Sequence, residues 1–246
     1  SQREHPDREA KTQHMMNKMR YAAAIFGVND ESQTLVEILY MEFLLALDKH
    51  FEQYPYLLGW KPCIGDFGLL APLFAHLGRD PKPLHIMQRQ AVHVYRWVER
   101  MNRSYQDAPE HYAGGTDFIA DDHIPDTLLK VLRVVAEDLL PETIAAADSI
   151  NSVLAASSIT AGDPASRYLG QNDGKAIFTV RGQQLEAGAQ PYRFFQLQLV
   201  QDAYQACAES ERADIDSLLE SCQLGGLLEI KLQRRMEQRG NVEVWL

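Results

Sequence analysis

Cysteine is scarce in this chain of 246 residues: Cys63, Cys207 and Cys222 are an odd number with no C-x-x-C pair. That argues against a disulfide framework and for a reducing compartment, with the cytoplasm the expected location. Positive charge is also in deficit, with 24 Lys and Arg against 34 Asp and Glu and a net charge of −10. A nucleic-acid partner is therefore not expected, since binding a phosphate backbone rests on clustered Lys and Arg. No apolar run approaches the roughly 20 residues that span a bilayer, and residues 1–12 are too charged for a signal sequence, so no membrane partner is expected either. G-x-S-x-G is missing, and Ser149, Ser152, Ser157 and Ser158 have no patterned base. Gly114-Gly115 and Gly225-Gly226 lack the Lys-Ser/Thr of a phosphate loop. Internal repeats and low-complexity segments are absent too. The eight histidines include no H-x-x-x-H pair, and no metal is expected. Asp121-Asp122-His123, downstream of His111, is the one local cluster of ligand types. It reads either as a divalent site or as a solvated turn before a helix at Asp126.

What the chain does hold is helical periodicity. Met15, Met16, Met19, Ala22, Ala23 and Phe26 recur at three- and four-residue steps and predict a helix stopping near Gly27. Asn29-Asp30-Glu31-Ser32 offers cap chemistry for a second helix carrying Leu35, Val36, Ile38, Leu39, Phe43, Leu44 and Leu47, broken by Tyr54-Pro55-Tyr56. A third helix is expected over 63–77. Beyond Pro81 and Pro83 a fourth would bury Ile86, Met87, Ala91, Val94, Tyr95 and Val98 and keep Arg89, Arg96, Glu99 and Arg100 outside. Residues 103–124 lose the period. Helices are expected again over 126–140, over 141–155 with Pro141 in the first turn, and over 191–208, 213–222 and 226–238. The last of these would make 231–239 a basic helix end. Residues 175–181 (K-A-I-F-T-V-R) read as a strand, 183–186 as its hairpin partner, and 242–245 as a terminal strand. The fold class this implies is mainly α: a helical bundle extended by a small β hairpin and additional C-terminal helices.

One segment has a sharper signature. Cys63 and Asp66 stand at the spacing of a capping box, in which an N-cap side chain accepts from the backbone three residues on and the residue there reaches back. Pro62 and Phe67 fall where a hydrophobic staple would. Sulfur is a poor acceptor, so Asp66 would carry most of the cap. Cys63 has a second reading as a reactive thiol, because a helix N-terminus lowers thiol pKa.

The segment Y-L-L-G-W-K-P-C-I-G-D-F-G-L-L-A-P-L resembles the sixth-helix region of the C-terminal, all-helical domain of glutathione S-transferases, whose pattern is yLlG-x-x-P-S-x-A-D. The continuation through H-L-G-R-D-P to Y-R-W-V-E-R-M resembles one bacterial glutathione-transferase-like subgroup, the match covering residues 31–101. Gln190-Pro191-Tyr192 and Gly225-Gly226 are loosely similar to helix starts in the extended tail of that subgroup. Cys63 stands where the family has Ser or Thr, and Gly65 where Ala is common.

The resemblance implies a helical core over 1–102 and an extension with a short β element over 103–246, packed on the core as one domain. It implies glutathione as co-substrate, a small apolar electrophile as acceptor, and a homodimer. In the family, glutathione and the catalytic residue belong to an N-terminal thioredoxin-like domain, which no segment here resembles. A chain beginning at Ser1 is expected to be a processed product or a piece of a longer one, and catalytic residues are assigned to none of its positions. By the same resemblance the first helix lines the electrophile site, with Met16, Met19, Arg20 and Tyr21 as substrate-binding candidates beside Met15. A buried core stripe explains the same methionine spacing and is the preferred reading, although the two do not exclude each other. The expected function is the hydrophobic co-substrate portion of a glutathione S-transferase, inactive without its thioredoxin-like domain. The alternative is a non-catalytic interaction or small-molecule-binding module of the same fold.

Overall fold

In a computed structural model the described residues are 7–104, 108–112, 114–165 and 174–246. They are mainly helical, and none of their helices is long and apolar enough to cross a membrane. The contacts divide the chain into two compact units, Glu37–Ala136 and Ser1–Val36 with Glu137–Leu246. The divisions fall inside two helices, α2 (Gln33–Phe51) and α6 (Asp126–Ala156).

The unit Glu37–Ala136 is all helical. Its core gathers Leu44, Leu47, Phe51, Leu57, Leu73, Met87, Val94, Trp97, Val98, Leu128 and Val131, with the Phe51 and Trp97 rings stacked 4.9 Å apart. After α2 the chain turns through 54–60 into α3 (Ile64–Leu70), which runs on as a π-helical segment, Ala71–Leu77. Pro72 at the junction has no N–H for the carbonyl four residues back and its ring crowds that carbonyl; a wider turn relieves the conflict. The single fourth helix of the sequence reading is in fact two, α4 (Pro81–Gln90) and α5 (Val92–Met101). Ala91 between them is fully buried with φ −141° and ψ 64°. Asp48 of α2 makes the break tolerable. Its carboxylate accepts the N–H groups of His93 (2.7 Å) and Val94 (3.3 Å), two donors left open at the start of α5, and contacts His93 Nδ1 at 3.1 Å.

Four of the six residues of the expected stripe, Met87, Ala91, Val94 and Val98, are buried, while Ile86 and Tyr95 are half-buried. Arg100 departs from expectation. Placed outside by its neighbours' periodicity, it is instead only 4% exposed. Its guanidinium pairs with Glu110, donates to the Pro55 carbonyl at 2.8 Å and lies over the Tyr56 ring. Polar anchoring of the 55–56 turn and the 108–112 segment thus overrides the helical pattern.

The other unit is mixed. α1 (Arg8–Ile25) ends at Gly27, whose φ of +80° turns the chain, and a Cβ there would lie 2.7 Å from the Glu186 carbonyl oxygen. Asn29 Oδ1 accepts the N–H groups of Glu31 and Ser32, and Ser32 Oγ donates to the Gly27 carbonyl at 2.6 Å, so the expected cap chemistry is in place. β1 (Lys175–Val180) and β2 (Gln183–Gly188) form the expected hairpin, Val180 opposite Gln183. Its two-residue turn, Arg181 at φ +50° and Gly182 at φ +78°, has both central residues left-handed, as two-residue hairpin turns favour. α7 (Pro191–Ala206) starts with Pro191 in its first turn, and α8 (Glu209–Ser221) follows. The core comprises Ala146, Ala147, Ile150, Leu154, Ile159, Ala176, Phe194, Leu197, Met236 and Trp245.

Two expectations fail in this unit. Pro141 does not open a helix but sits within α6, where Ala146, Ala147, Ile150 and Leu154 beyond it are all buried. Packing on that scale outweighs the ~3 kcal/mol that an internal proline costs. The expected helix over 226–238 is only a short 3-10 turn, Leu227–Glu229, followed by β3 (Met236–Arg239), which pairs with β4 (Val242–Trp245). The basic run is a strand entry, set by the Gly240-Asn241 turn and by burial of Met236 and Trp245. The expected loop over 157–174 lies partly outside the described residues, and the irregular connection over 103–124 contains short 3-10 turns where it is described.

Candidate functional site

α1 has no fully buried residue. Met15, Met16 and Met19 are 49%, 45% and 56% exposed, so the core-stripe reading of their spacing is overturned. Only the C-terminal end of the helix is held, where Ala22, Ala23 and Ile25 are half-buried and Ile25 touches Gly188 of β2. The three methionines instead line an open groove of about 580 Å³ with Lys11, Thr12 and Arg20. Four of the predicted contact residues are therefore brought to one surface: Met15, Met16, Met19 and Arg20. Tyr21 does not line the groove, although it is 60% exposed. Thioethers are polarizable and flexible, and a wall of them adapts to apolar ligands of varied shape. Lys11 and Arg20 add positive charge at its edge.

The Cys63–Asp66 pair forms as the spacing predicts. Cys63 is the N-cap of α3 with an extended backbone (φ −107°, ψ 176°), and Asp66 Oδ2 accepts its N–H at 2.9 Å. Cys63 Sγ faces the Asp66 N–H and completes the box in position, but makes no ordinary side-chain hydrogen bond. Asp66 does more than cap. It is fully buried, and its Oδ1 accepts from the indole Nε1–H of Trp97 at 2.9 Å and from the Leu57 N–H at 3.2 Å. One carboxylate thus joins the 57–63 turn, α3 and α5. The Cys63 thiol is pushed up from its ordinary value, burial being the main cause, with the Asp66 carboxylate adding to it against the Asp66 backbone. A thiol raised in this way stays protonated at neutral pH and is a poor nucleophile, which favours the cap over the reactive-thiol reading.

Two buried polar groups of the same unit have no local sequence signal. His50 is fully buried, with Nδ1 2.9 Å from Thr127 Oγ1 and its ring stacked on Tyr54 at 5.4 Å. Burial holds its pKa below the ordinary value, opposed in part by the backbone at Tyr56 and Leu57 and by the Asp66 carboxylate. Burial likewise lowers Arg100, against the pull of Glu110. Burial pushes Glu110 up, yet its own backbone N–H and Arg100 outweigh it and leave that carboxyl below the ordinary range. Their partners lie 77 and 10 residues away in sequence, so only the folded chain reveals them.

Asp121, Asp122 and His123 are all exposed, the first two with positive φ in a 3-10 turn. Among the described residues no group of three or more His, Cys, Asp or Glu side chains is placed to hold a metal ion. Comparison of the chain with protein-family models, with curated proteins and with solved structures finds no match to any of them.

Proposed function

We propose that this chain is the hydrophobic co-substrate portion of a glutathione-transferase-like protein, a helical part that holds an apolar electrophile for a thioredoxin-like domain carrying glutathione. The observation that carries this reading is Asp66. The carboxylate at the position of the family's cap is fully buried and takes donors from Cys63, Leu57 and Trp97, so the motif behind the resemblance is also a structural keystone. The methionine groove on α1 supports it, since the helix that the resemblance assigns to the electrophile carries an apolar, adaptable surface. The Cys63 thiol, held protonated, does not supply the thiolate of such a conjugation, which in this reading is that of glutathione.

The test uses methionine-methyl NMR with a chloronitrobenzene as electrophile. Saturable shifts at Met16 and Met19, without conjugation of added glutathione by this chain alone, are expected. Turnover by the chain alone, or methyls that do not respond, would sink the proposal. A non-catalytic interaction module of the same fold is the second reading. It is favoured by the exposure of α1 through its first turns, which leaves a basic, methionine-bearing helix available to a protein partner.

A further inference from the structure

A second cleft, remote in sequence from α1, lies between α7 and the segment 228–236. Its volume is about 190 Å³. Phe194, Leu197, Leu228, Ile230 and Met236 supply an apolar floor. The segment is fastened to α7 by two glutamines. Gln201 Nε2 donates to the carbonyls of Leu228 (3.0 Å) and Ile230 (2.7 Å), while Gln198 donates to the Met236 carbonyl (2.8 Å) and accepts its N–H (3.0 Å). These bonds satisfy the backbone and fix the walls, so the cleft is preformed and needs no ligand to shape it.

Charge around the cleft is unbalanced. Lys231, Arg234 and Arg235 line it against one carboxylate, Asp202, in a chain whose net charge is −10. That carboxylate is already engaged by Arg235 at 2.5 Å. Arg234 is half-buried, and among the described residues it has neither an ion-pair nor a hydrogen-bond partner. The Arg234 guanidinium donors are therefore not shared with the protein, and a planar bidentate acceptor such as a carboxylate is the group that best satisfies them.

We propose that this cleft binds a small amphiphilic anion, an apolar body carrying one carboxylate, with the tail on Phe194, Leu197 and Met236 and the head on Arg234, Lys231 adding charge. The volume limits the body. It lies below the ~300 Å³ at which drug-sized pockets begin and equals roughly six waters of liquid. A chain of about eight carbons or a single substituted ring is the size class. The site is independent of the electrophile groove, since the two share no residue.

Octanoate is the probe, with octanol and octylamine as neutral and cationic counterparts of equal length. Each is titrated into the full chain while the methionine methyls are followed by NMR. Octanoate is expected to shift the Met236 methyl saturably and to leave Met15, Met16 and Met19 unmoved, with octanol at least about tenfold weaker and octylamine without effect. Arg234→Gln should weaken octanoate by about tenfold, and Arg234→Lys by less. Octanol binding as tightly as octanoate, parallel shifts at the α1 methionines, or an Arg234→Gln chain that binds unchanged would each overturn the proposal. If Arg234→Gln does not fold, the octanoate and octanol comparison on the unaltered chain still decides. Failure of the electrophile to reach Met16 and Met19 has no bearing on the Met236 result, so the two readings fail separately.

Discussion

Asp66 shows what a single carboxylate can be required to do. Replacing it with Ala leaves the N–H groups of Cys63 and Leu57 and the indole of Trp97 buried without their acceptor. Each orphaned donor costs about 1–3 kcal/mol, so Asp66→Ala is expected to lose at least ~3 kcal/mol of stability in urea unfolding. Asp66→Asn places an N–H₂ against donors and should lose a comparable share; a loss below about 1 kcal/mol in both would show that the network does not stabilise the fold. Cys63→Ser restores a hydroxyl acceptor and should stabilise by a few tenths to ~1 kcal/mol. A loss instead would mean that the half-buried sulfur contributes through packing. The Cys63 and Asp66 half of this network was legible in the sequence because the two are three residues apart. The Trp97 half was not, because its donor is 31 residues distant and nothing in the helical period marks it. The same limit explains Arg100: a charged residue beside a buried stripe reads as solvent-facing unless its distant partners are known.

Elements that obey local chemistry were readable, and those decided by packing were not. The β1–β2 hairpin announced itself through β-branched residues and a glycine-bearing turn, and the Ser32 cap through its neighbours. Pro141 and the 226–238 segment misled, since in both cases burial of side chains far along the chain overrode the local preference. Gly182 and Gly27 separate these influences within one unit, having nearly equal positive φ, +78° and +80°. A Cβ on Gly182 meets open space, so Gly182→Ala should cost only the conformational term, about 1 kcal/mol. A Cβ on Gly27 meets the Glu186 carbonyl, so Gly27→Ala adds displacement of β2 from the end of α1 and should cost at least about twice as much. Equal losses would mean that α1 does not rest on β2. Hydrogen exchange gives a companion readout. With no buried residue, α1 should show weak protection over its first turns, rising only at Ala22, Ala23 and Ile25. Uniform protection along α1 would contradict the exposure that leaves its methionine groove open.

At the scale of the whole chain, the two units have separate cores and different titrating groups, and pH should act on them unequally. Among the described residues His50 is the one fully buried histidine, and it belongs to Glu37–Ala136. Burial lowers its pKa in the folded state, so below the ordinary value of about 6.5 the unfolded chain binds a proton that the folded chain refuses. Stability from this source is therefore complete above about pH 6.5 and falls as the pH drops through and below it, with a limiting slope near 1.4 kcal/mol per pH unit for one proton. His111 is shifted the same way, by burial and by the charge of Arg100, but it is more exposed and adds less. The tryptophans permit the two units to be read apart. Trp60 and Trp97 lie in Glu37–Ala136, and Trp245 lies in the other unit. In a Trp245→Phe chain, the urea midpoint followed by fluorescence should drop steadily between pH 7 and 5, and adding His50→Gln should flatten that dependence although it lowers the midpoint at pH 7. A midpoint independent of pH in the Trp245→Phe chain, or an unchanged slope after His50→Gln, would mean that His50 takes up its proton without leaving the fold. The Thr127 contact and the stack on Tyr54 would then have to survive with a charged ring, which the burial of His50 itself makes costly.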